Sequence, residues 1–311
     1  MQISSIKTVG HELSVSSTSI PKVSVVITCY NYGQYVSEAI ESVLCQTLED
    51  YEIIVIDDGS QDDTSLVMDG YRENKKIRYI PQKNQGQPKA KNRGIAESKG
   101  ELIAFLDADD VWLPEKLALQ SQLFNDPEVG VVYTRRYWVN PSGSIIGGNE
   151  RTLRRGNILD YIFIDNFICF SSSMVRRDLL TAVNGFDEQL PMGIDYDLWV
   201  RLAALCQFDY VDQPLVKYRT GHANLSRNTL KRYACAEKIM HKNLGDPSVR
   251  RKMSWWVPRY AWADTFKNKG NVVRKQGNFS AASLLYVKSL MANPFLAFAW
   301  IGLACCLLRK S

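Results

Sequence analysis

Short, apolar, β-branched segments alternate with helical segments through the first hundred residues, and this alternation restricts the fold more than any other feature of the chain. The apolar segments are Val23–Thr28, Tyr51–Ile56 and Leu102–Leu106. Each is short and continuously apolar, which is typical of a strand buried on both faces of a sheet. Tyr35–Gln46 and Lys89–Ser98 lie between them as predicted helices. Strands that alternate with helices predict right-handed βαβ units, and therefore an α/β fold around a mostly parallel sheet.

Shorter elements continue the pattern along the chain. We predict helices over Asp63–Arg72 and Asp195–Leu205, and strands over Ile77–Ile80, Val129–Tyr133, Ser171–Val175 and Leu215–Arg219. Beyond about residue 225 the pattern predicts helices only. The chain has 311 residues, of which 45% are hydrophobic, so it can bury a sizeable core without disulfide or metal staples. This composition excludes a fibrous or wholly disordered chain.

A polar cluster follows each of the three apolar strands. The clusters are Thr28–Asn31, Asp57–Ser60 and Asp107–Asp110. In open α/β sheets, ligands bind beyond the carboxyl ends of the strands. One such cluster alone would be an ordinary turn, but the coincidence of all three predicts a binding site along this edge of the sheet.

The cluster after the third strand contains candidate metal ligands. Asp107 and Asp109 are two positions apart, so their side chains point the same way if the strand geometry continues. Two converging carboxylates repel each other unless a cation lies between them. Mg²⁺ or Mn²⁺ is the expected cation, because such ions take oxygen ligands and share their shell with substrate phosphates. Asp110 has a simpler interpretation as the cap of the following helix. Asp57 and Asp58 either accept hydrogen bonds from a base or ribose, or form only a turn.

Longer motifs recur in a fixed order along the chain. They are VSVVITCYN at Val23–Asn31, IESVLCQT at Ile40–Thr47, EIIVIDDGS at Glu52–Ser60, NQG at Asn84–Gly86, NRG at Asn92–Gly94, GELIAFLDADD at Gly100–Asp110, GFDE at Gly185–Glu188 and DYDLWVRL at Asp195–Leu202. In this order and at this spacing they resemble glycosyltransferase family 2. The resemblance spans roughly residues 22–226 and is specific, because several independent motifs agree in register.

The resemblance to glycosyltransferase family 2 carries expectations about fold and donor. It implies a GT-A fold, which is Rossmann-like with a mostly parallel central sheet, and a nucleotide-diphosphate sugar donor. It also implies a divalent metal and inversion at the anomeric carbon. Thr28, Tyr30 and Asp58 look like the nucleoside pocket, and Asp57 is the neighbour of Asp58 in that pocket.

The same resemblance assigns roles to the later aspartates. Asp107 and Asp109 look like the DxD pair, with Asp107 towards the ribose and the metal, and Asp109 on the metal. Asp195 looks like the catalytic base, which takes the proton from the acceptor hydroxyl on the face of the sugar opposite the leaving diphosphate. Asp197 competes for this role, and Asp195 could instead be an ordinary acid at a helix N-terminus.

Three positions depart from the family pattern. Ile194 stands where the family usually has a Glu before the base, so Asp195 lacks an acidic neighbour. Lys91 replaces an Arg that often precedes the Asn-x-Gly segment, and it can meet a phosphate only as a point charge. His222 lies one place later than the family's histidine. It is either a ligand of the metal or diphosphate, or a surface residue.

The resemblance to glycosyltransferase family 2 implies an inverting glycosyltransferase of the hexosyltransferase type. Its donor would be a nucleotide-diphosphate sugar, with UDP as the family default, and its acceptor a hydroxyl of a glycan or a lipid-linked molecule. The departures keep open an alternative, a sugar-nucleotide-binding module that is impaired in catalysis. A nucleotidyltransferase would need a glycine-rich phosphate loop after the first strand, and Cys29–Gly33 does not supply one.

Charge is distributed unevenly along the chain. Residues 221–311 hold 16 Lys and Arg against 3 Asp and Glu, whereas residues 1–220 hold 22 against 30. The basic section predicts an anionic partner, such as a membrane surface, or is only a solvated face. Trp255, Trp256, Trp262 and Trp300 form either an interfacial belt or the aromatic core of a helical bundle. Nucleic acid is not a predicted partner, because no reader motif accompanies the charge.

Domain organisation and location follow from the same patterns. We predict a flexible segment over residues 1–20, a GT-A domain over 21–225 and a basic helical extension over 226–311, in which residues 264–294 have the spacing of one tetratricopeptide-like helix pair. Seven cysteines without a CxxC pair indicate a reducing compartment rather than a disulfide framework or a zinc site. The first twenty residues lack the apolar stretch of a signal peptide. The longest apolar run, Phe295–Leu308, is shorter than the roughly 20 residues that span a bilayer. We therefore expect a cytoplasmic protein, peripheral on the cytoplasmic face of the membrane.

Overall fold

The computed structural model describes residues 20–148, 151–221 and 228–308. The strands are β1 (Val23–Cys29), β2 (Tyr51–Asp57), β3 (Ile77–Pro81), β4 (Leu102–Asp107), β5 (Val111–Trp112), β6 (Val129–Val139), β7 (Ile145–Gly148), β8 (Met174–Arg176) and β9 (Gln207–Arg219). The α-helices are α1 (Gly33–Leu44), α2 (Thr64–Asp69), α3 (Gln87–Glu97), α4 (Lys116–Leu123), α5 (Leu159–Ile164), α6 (Arg177–Ala182), α7 (Ile194–Ala203), α8 (Thr229–Gly245), α9 (Pro247–Arg250), α10 (Val257–Lys275), α11 (Phe279–Ala292) and α12 (Ala297–Leu307). A 3₁₀ helix, Phe170–Ser172, precedes β8.

One mixed sheet contains all the described strands, in the order β3-β2-β1-β4-β8-β6-β9-β5 with β7 paired to β6. β1 pairs in parallel with β2 and β4, and β2 pairs in parallel with β3. β8 runs antiparallel to β4 and β6, whereas β6 and β9 are parallel. The central strands are buried because apolar side chains pack on both of their faces, in two separate core clusters. The expected α/β fold around a mostly parallel sheet is confirmed.

The strand register aligns the carboxyl ends of β1, β2 and β4. Cys29 lies opposite Asp57, and Thr28 lies opposite Asp107. The polar clusters that follow these three strands therefore start from one edge of the sheet, where ligands bind in folds of this kind.

β9 is longer than its apolar part predicts, since it begins at Gln207 rather than at Leu215. The first half of β9 pairs with β6 as far as Thr134, and the register of the pairing shifts between Thr134 and Arg135. Pro214 lies at this shift, and a proline has no N–H to donate to the ladder. The irregularity and the polar residues around it break the alternating pattern by which a strand is identified in a sequence.

The segment Ser171–Val175, predicted as a strand, is instead the end of the 3₁₀ helix followed by the start of β8. The Ser172 hydroxyl donates to the Cys169 carbonyl at 2.7 Å. Local bonds from a serine side chain to the backbone compete with a strand ladder. The resulting turn places Ser171 against the loop that follows β4.

The helices after the sheet confirm the predicted helical C-terminal region, whereas the domain boundaries remain predictions. α10 and α11 are joined by a turn at Gly277, and α12 packs on α11. Tyr286 is buried between these helices because Gly270 and Gly302 let its ring approach the backbone; a Cβ on Gly302 would lie 2.4 Å from the ring. Among the described residues, none of the helices combines the length and apolar character needed to cross a membrane.

Candidate active site

Asp58 lies buried just beyond the end of β2 and holds the loop that leads into α3. Its carboxylate accepts the Gln82 side-chain amide at 2.8 Å and the backbone N–H groups of Gln85 and Gly86 at 2.9 and 2.8 Å. These bonds fix the approach of α3, which carries Lys91, to the edge of the sheet. A nucleobase that binds at Asp58 would have to share its carboxylate with these three donors or replace their hydrogen bonds.

Asp57 is also buried and is held by two donors. It accepts the Tyr79 hydroxyl at 2.6 Å and the Ser60 backbone N–H at 2.8 Å. Burial and the hydrogen bond to Asp57 raise the pKa of Tyr79. Tyr30, which follows β1, is in contrast exposed, so its ring is available to an external group. Within this cluster the two aspartates order the turn and the tyrosine faces solvent.

Lys91 connects the cluster after β1 with the cluster after β4. Its side chain is almost fully buried, and its Nζ donates to Asp107 Oδ1 at 2.7 Å and to Thr28 Oγ1 at 3.3 Å. The same Nζ lies 3.8 Å from the centroid of the Phe170 ring. Asp107 remains partly exposed. Lys91 therefore supplies a positive charge in a fixed position, and Asp107 beside it supplies a carboxylate that is accessible from solvent.

Asp110 ends the acidic loop and is buried beneath it. It accepts the Ser171 hydroxyl and, at 2.9 Å, the backbone N–H of Arg219. The expectation that Asp110 caps the next helix is wrong, because α4 begins well beyond it and these two donors already occupy its oxygens. Burial raises the pKa of Asp110, and the charges of Asp109 and Asp107 raise it further. The three carboxylates are therefore close enough to repel one another.

Arg219, at the end of β9, holds the acidic loop from the other side. Its Nε donates to the Asp109 carbonyl and one terminal nitrogen donates to the Pro141 carbonyl, both at 2.8 Å. The other terminal nitrogen donates to the Glu38 carboxylate on α1. Sequence reasoning missed this role. The available signal was an arginine at the end of an apolar strand, which needs several acceptors when it is buried.

Asp107 and Asp109 supply the oxygen ligands that Mg²⁺ and Mn²⁺ prefer. Across residues 20–148, 151–221 and 228–308, no cluster of three His, Cys, Asp or Glu side chains forms a complete ligand set. Mg²⁺ is commonly held by one or two carboxylates together with substrate phosphates and water. In addition to burial, the charges of Asp109 and Asp107 raise the pKa of Asp110, because negative charge accumulates in this loop. A bound cation would offset that charge. The residues present therefore fit a divalent ion bound jointly with a phosphate; His222 lies outside the described residues.

Asp195 lies in the first turn of α7 and is partly exposed. Its Oδ2 accepts the Asn166 side-chain amide at 2.8 Å. Burial raises the pKa of Asp195, the hydrogen bond from Asn166 partly opposes this, and the charge of Asp107 raises the pKa further. A carboxyl group with a raised pKa is a better proton acceptor near neutral pH. Asn166 lies in a stretch without any motif, so sequence reasoning could not identify it.

Asp197 lies two residues further along α7 in a very different environment. Its side chain is fully buried and pairs with Arg201 at 2.8 Å and with Lys242 at 2.9 Å. It also accepts the Asn243 amide at 3.2 Å. This network joins α7 to α8. A carboxylate enclosed by two cations has no access to a substrate hydroxyl, so the structure gives Asp197 a structural position.

The predicted site residues form groups along one edge of the sheet. Thr28, Lys91 and Asp107 are in contact, Asp109 continues the loop from Asp107, Asp57 and Asp58 end the neighbouring strand, and Asp195 lies within electrostatic range of Asp107. Ile194 is buried in the core beneath α7, so no acidic side chain assists Asp195 from that position. The arrangement places a buried ammonium group and partly exposed carboxylates at one end, and the Asp195 carboxylate, whose pKa is raised, at the other.

Comparison with known sequences adds independent observations. Residues 24–183, about half of the chain, match the family described as glycosyl transferase family 2. An uncharacterized glycosyltransferase of Rickettsia felis is 35% identical over 231 residues, which cover 74% of this chain and 38% of that protein. A hyaluronan synthase of Pasteurella multocida is 31% identical over 198 residues, which cover 62% of this chain and 20% of that protein. The chain spans between 31% and 39% of the length of the first curated relatives that it matches.

Comparison with solved structures identifies proteins of similar fold. TarS 1–349 of S. aureus, in complex with UDP-GlcNAc, superimposes with a TM-score of 0.62 at 15% identity, over 93% of this chain and 92% of that one. The mannosyltransferase PcManGT of Pyrobaculum calidifontis, in complex with GDP-Man and Mn²⁺, gives a TM-score of 0.55 at 18% identity, over 94% and 86%. At these identities the likeness establishes a shared fold.

Proposed function

The chain belongs to glycosyltransferase family 2 and has the GT-A fold, and on this basis we propose that it transfers a sugar from a nucleotide diphosphate to an acceptor hydroxyl with inversion. The observation that carries the proposal is the grouping of Lys91, Asp107 and Asp109 at one edge of the sheet, with Asp195 in electrostatic range. Sugar transfer needs stabilisation of a departing diphosphate and a base for the incoming hydroxyl. The two ends of the site match these two needs.

The donor end of the site is assigned to a UDP-sugar. Thr28, Tyr30 and Asp58 would bind the nucleoside, and Asp57 would order the turn beside them. The TarS neighbour in complex with UDP-GlcNAc supports uridine. Lys91 would place its buried ammonium group against a phosphate that also approaches the exposed side of Asp107.

A divalent ion, Mg²⁺ or Mn²⁺, belongs to this proposal. Asp109 and Asp107 would hold it, and His222 remains a candidate ligand. When bound, the ion offsets the negative charge that develops on the leaving diphosphate. The mannosyltransferase neighbour in complex with Mn²⁺ supports this assignment. Arg219 would fix the backbone of Asp109 so that its carboxylate stays directed at the phosphates.

Asp195 is assigned as the general base. It would take the proton from the acceptor hydroxyl while that hydroxyl attacks the anomeric carbon and the diphosphate leaves on the opposite face. A single displacement of this kind inverts the configuration. Asn166 orients the carboxylate through Oδ2. With Ile194 in place of an acidic neighbour, burial and the charge of Asp107 are the features that raise the basicity of Asp195.

The acceptor is proposed to be a glycan or a lipid-linked molecule. A relative named as a hyaluronan synthase supports a glycan. The basic C-terminal helices support a position at the cytoplasmic membrane face, where a lipid-linked acceptor would be presented. The alternative, a binding module impaired in catalysis, rests on the missing acidic neighbour at Ile194.

A thermal-shift and turnover experiment tests the proposal. The full chain is heated with UDP, GDP, UDP-GlcNAc or GDP-mannose, with and without Mn²⁺. A ligand that binds only the folded state raises the melting temperature, and we expect this for a uridine nucleotide together with Mn²⁺. Release of UDP that increases with a glycan or lipid-linked acceptor would establish transfer. Binding without such release would favour the impaired module, and no shift with any nucleotide would overturn both functions.

A further inference from the structure

Helices α11 and α12 and the turn between them direct large apolar side chains towards solvent. The side chains, which we call the apolar face, are those of Leu284, Val287, Met291, Phe295, Phe298, Trp300, Ile301 and Leu307. Met291 is 81% exposed, Phe295 92% and Leu307 78%. Helices at the surface of a soluble protein normally direct polar side chains outward. This face does the opposite over two consecutive helices.

The opposite side of α12 shows that the helix is already packed. Its small residues Ala299, Gly302 and Cys306 are buried, and Gly302 lies directly against the Tyr286 ring. The helix therefore has a defined inner side and cannot rotate to bury Trp300 and Ile301 instead. Exposed apolar patches of this kind mark interaction surfaces.

Positive charge borders the apolar face. An open groove of about 350 Å³ between α10 and α11 is lined by Pro258, Trp262, Phe266, Met291 and Ala292, together with Arg259 and Lys288. Met291 belongs to both the groove and the apolar face, so the two are continuous. α11 and α12 contain no acidic residue. On α10, Asp264 is already paired with Lys267.

We propose that the apolar face docks on an anionic lipid bilayer. Its aromatic and aliphatic side chains would enter the boundary between headgroups and acyl chains, and Arg259 and Lys288 would meet lipid phosphates. Trp255, 76% exposed in the turn that precedes α10, adds an aromatic side chain of the type that favours this boundary. The inference deepens the peripheral location proposed above, and it does not depend on the transfer reaction.

Charge favours a bilayer over a second copy of the chain. A symmetric dimer through this face would bring Arg259 and Lys288 of both copies into one interface, and like charges oppose such contacts. An anionic surface complements the same cations. The structure also refines the predicted tryptophan belt. Trp262 stacks on Phe266 and lies against His241 in the wall of the groove, whereas Trp255, Trp256 and Trp300 are exposed.

Vesicle flotation of the full chain tests the docking surface. Deleting the helices is unsuitable, because α8 supplies Lys242 to the buried Asp197. We expect the wild type to float with phosphatidylcholine vesicles that contain phosphatidylglycerol, and to float much less with phosphatidylcholine alone. The double variant Phe298→Ser/Trp300→Ser should lower partitioning by about tenfold or more. Arg259→Glu/Lys288→Glu should remove the preference for phosphatidylglycerol.

Leu66→Ser is the matched control, since Leu66 is equally apolar and 70% exposed on α2, remote from this face in sequence. It should float like the wild type. The proposal is overturned if the wild type binds neither vesicle, if the double variant floats unchanged, or if light scattering shows a dimer that the double variant abolishes. The melting-temperature shift with nucleotide, measured on the same variants, stays unchanged if only the docking surface is altered. Failure of docking and failure of sugar transfer are thereby distinguished.

Discussion

Two lysine–aspartate pairs in this molecule place the same chemistry in opposite orientations. Lys91 and Asp107 are 2.7 Å apart, with the ammonium buried and the carboxylate partly exposed. Lys242 and Asp197 are 2.9 Å apart, with the carboxylate fully buried and the ammonium exposed. An exposed carboxylate can still bind a ligand, whereas a buried one that is also paired with Arg201 is saturated. The identity of the partner that faces solvent, and not the pairing itself, separates the proposed binding position at Asp107 from the structural pair at Asp197.

The same contrast separates two acids within the first turn of α7. Asp195 has a raised pKa and one amide donor from a side chain, Asn166. Asp197 has two cations and the Asn243 amide. Their roles follow from which elements meet each face of the helix, since α8 covers Asp197 and leaves Asp195 towards the sheet edge.

Replacing each acid in turn gives the sharpest test of this contrast. Asp195→Asn keeps the size and the hydrogen-bonding ability of the side chain but removes the base. We expect sugar transfer to fall by about 10³-fold, within the range for loss of general-base catalysis. The measurement is kcat with saturating donor and Mn²⁺, with the melting temperature as a check of folding. Full activity in Asp195→Asn would contradict the assignment.

Asp197→Asn should have the reverse profile. It leaves Arg201 and Lys242 facing a neutral amide, and breaking a buried pair in this way costs about 3 kcal/mol of folding free energy. Urea unfolding measures that loss. The kcat of the protein that remains folded should stay within a few-fold of the wild type. A large loss of kcat with unchanged stability would show that Asp197, and not Asp195, is the general base.

Arg219→Lys tests the proposed binding position in the acidic loop that carries Asp107 and Asp109. A lysine keeps the charge but cannot bond the Asp109 and Pro141 carbonyls and Glu38 together. We expect the Mn²⁺ concentration for half-maximal activity to rise about tenfold, as when an outer partner of a metal ligand is lost. The control is Arg135→Lys, at a second strand arginine that forms an ion pair, in this case with the exposed Asp212. An equal loss of activity at every Mn²⁺ concentration would indicate a general structural defect.

The sequence predicts the sheet well because its signal is local. Val23–Thr28 and Leu102–Leu106 need only their own apolar residues to be identified as buried strands, and both are strands. β9 is longer than its apolar residues predict, because its pairing depends on a register shift at Pro214 that no local pattern shows. Burial and pairing of single side chains are equally non-local.

The candidate site shows the same limit. Asp110 has the sequence of a helix cap, yet Ser171 and Arg219, both distant in the chain, give it a different role. Asp195 and Asp197 are equivalent in sequence until α8 is packed on the helix. The motif order identifies where the site lies. Which side chains remain open to a ligand is decided by contacts between residues distant in the chain, such as Asn166 with Asp195 and Arg219 with Asp110.

Asn166→Ala provides the finest test, because it alters Asp195 without removing it. The Asn166 hydrogen bond stabilises the charged carboxylate and so lowers its pKa, while burial and Asp107 raise it. Loss of that bond should raise the pKa of Asp195, so the base becomes protonated at a higher pH. The acidic limb of kcat/KM against pH should shift upward, with a few-fold lower rate on the acidic side and convergence with the wild type at alkaline pH. Asn166→Asp is a poor control because it adds a charge. Asn157→Ala, at an asparagine whose side-chain oxygen accepts the Leu159 N–H, leaves Asp195 untouched. A uniform loss across the pH range would mean that Asn166 positions the helix and does not tune the base.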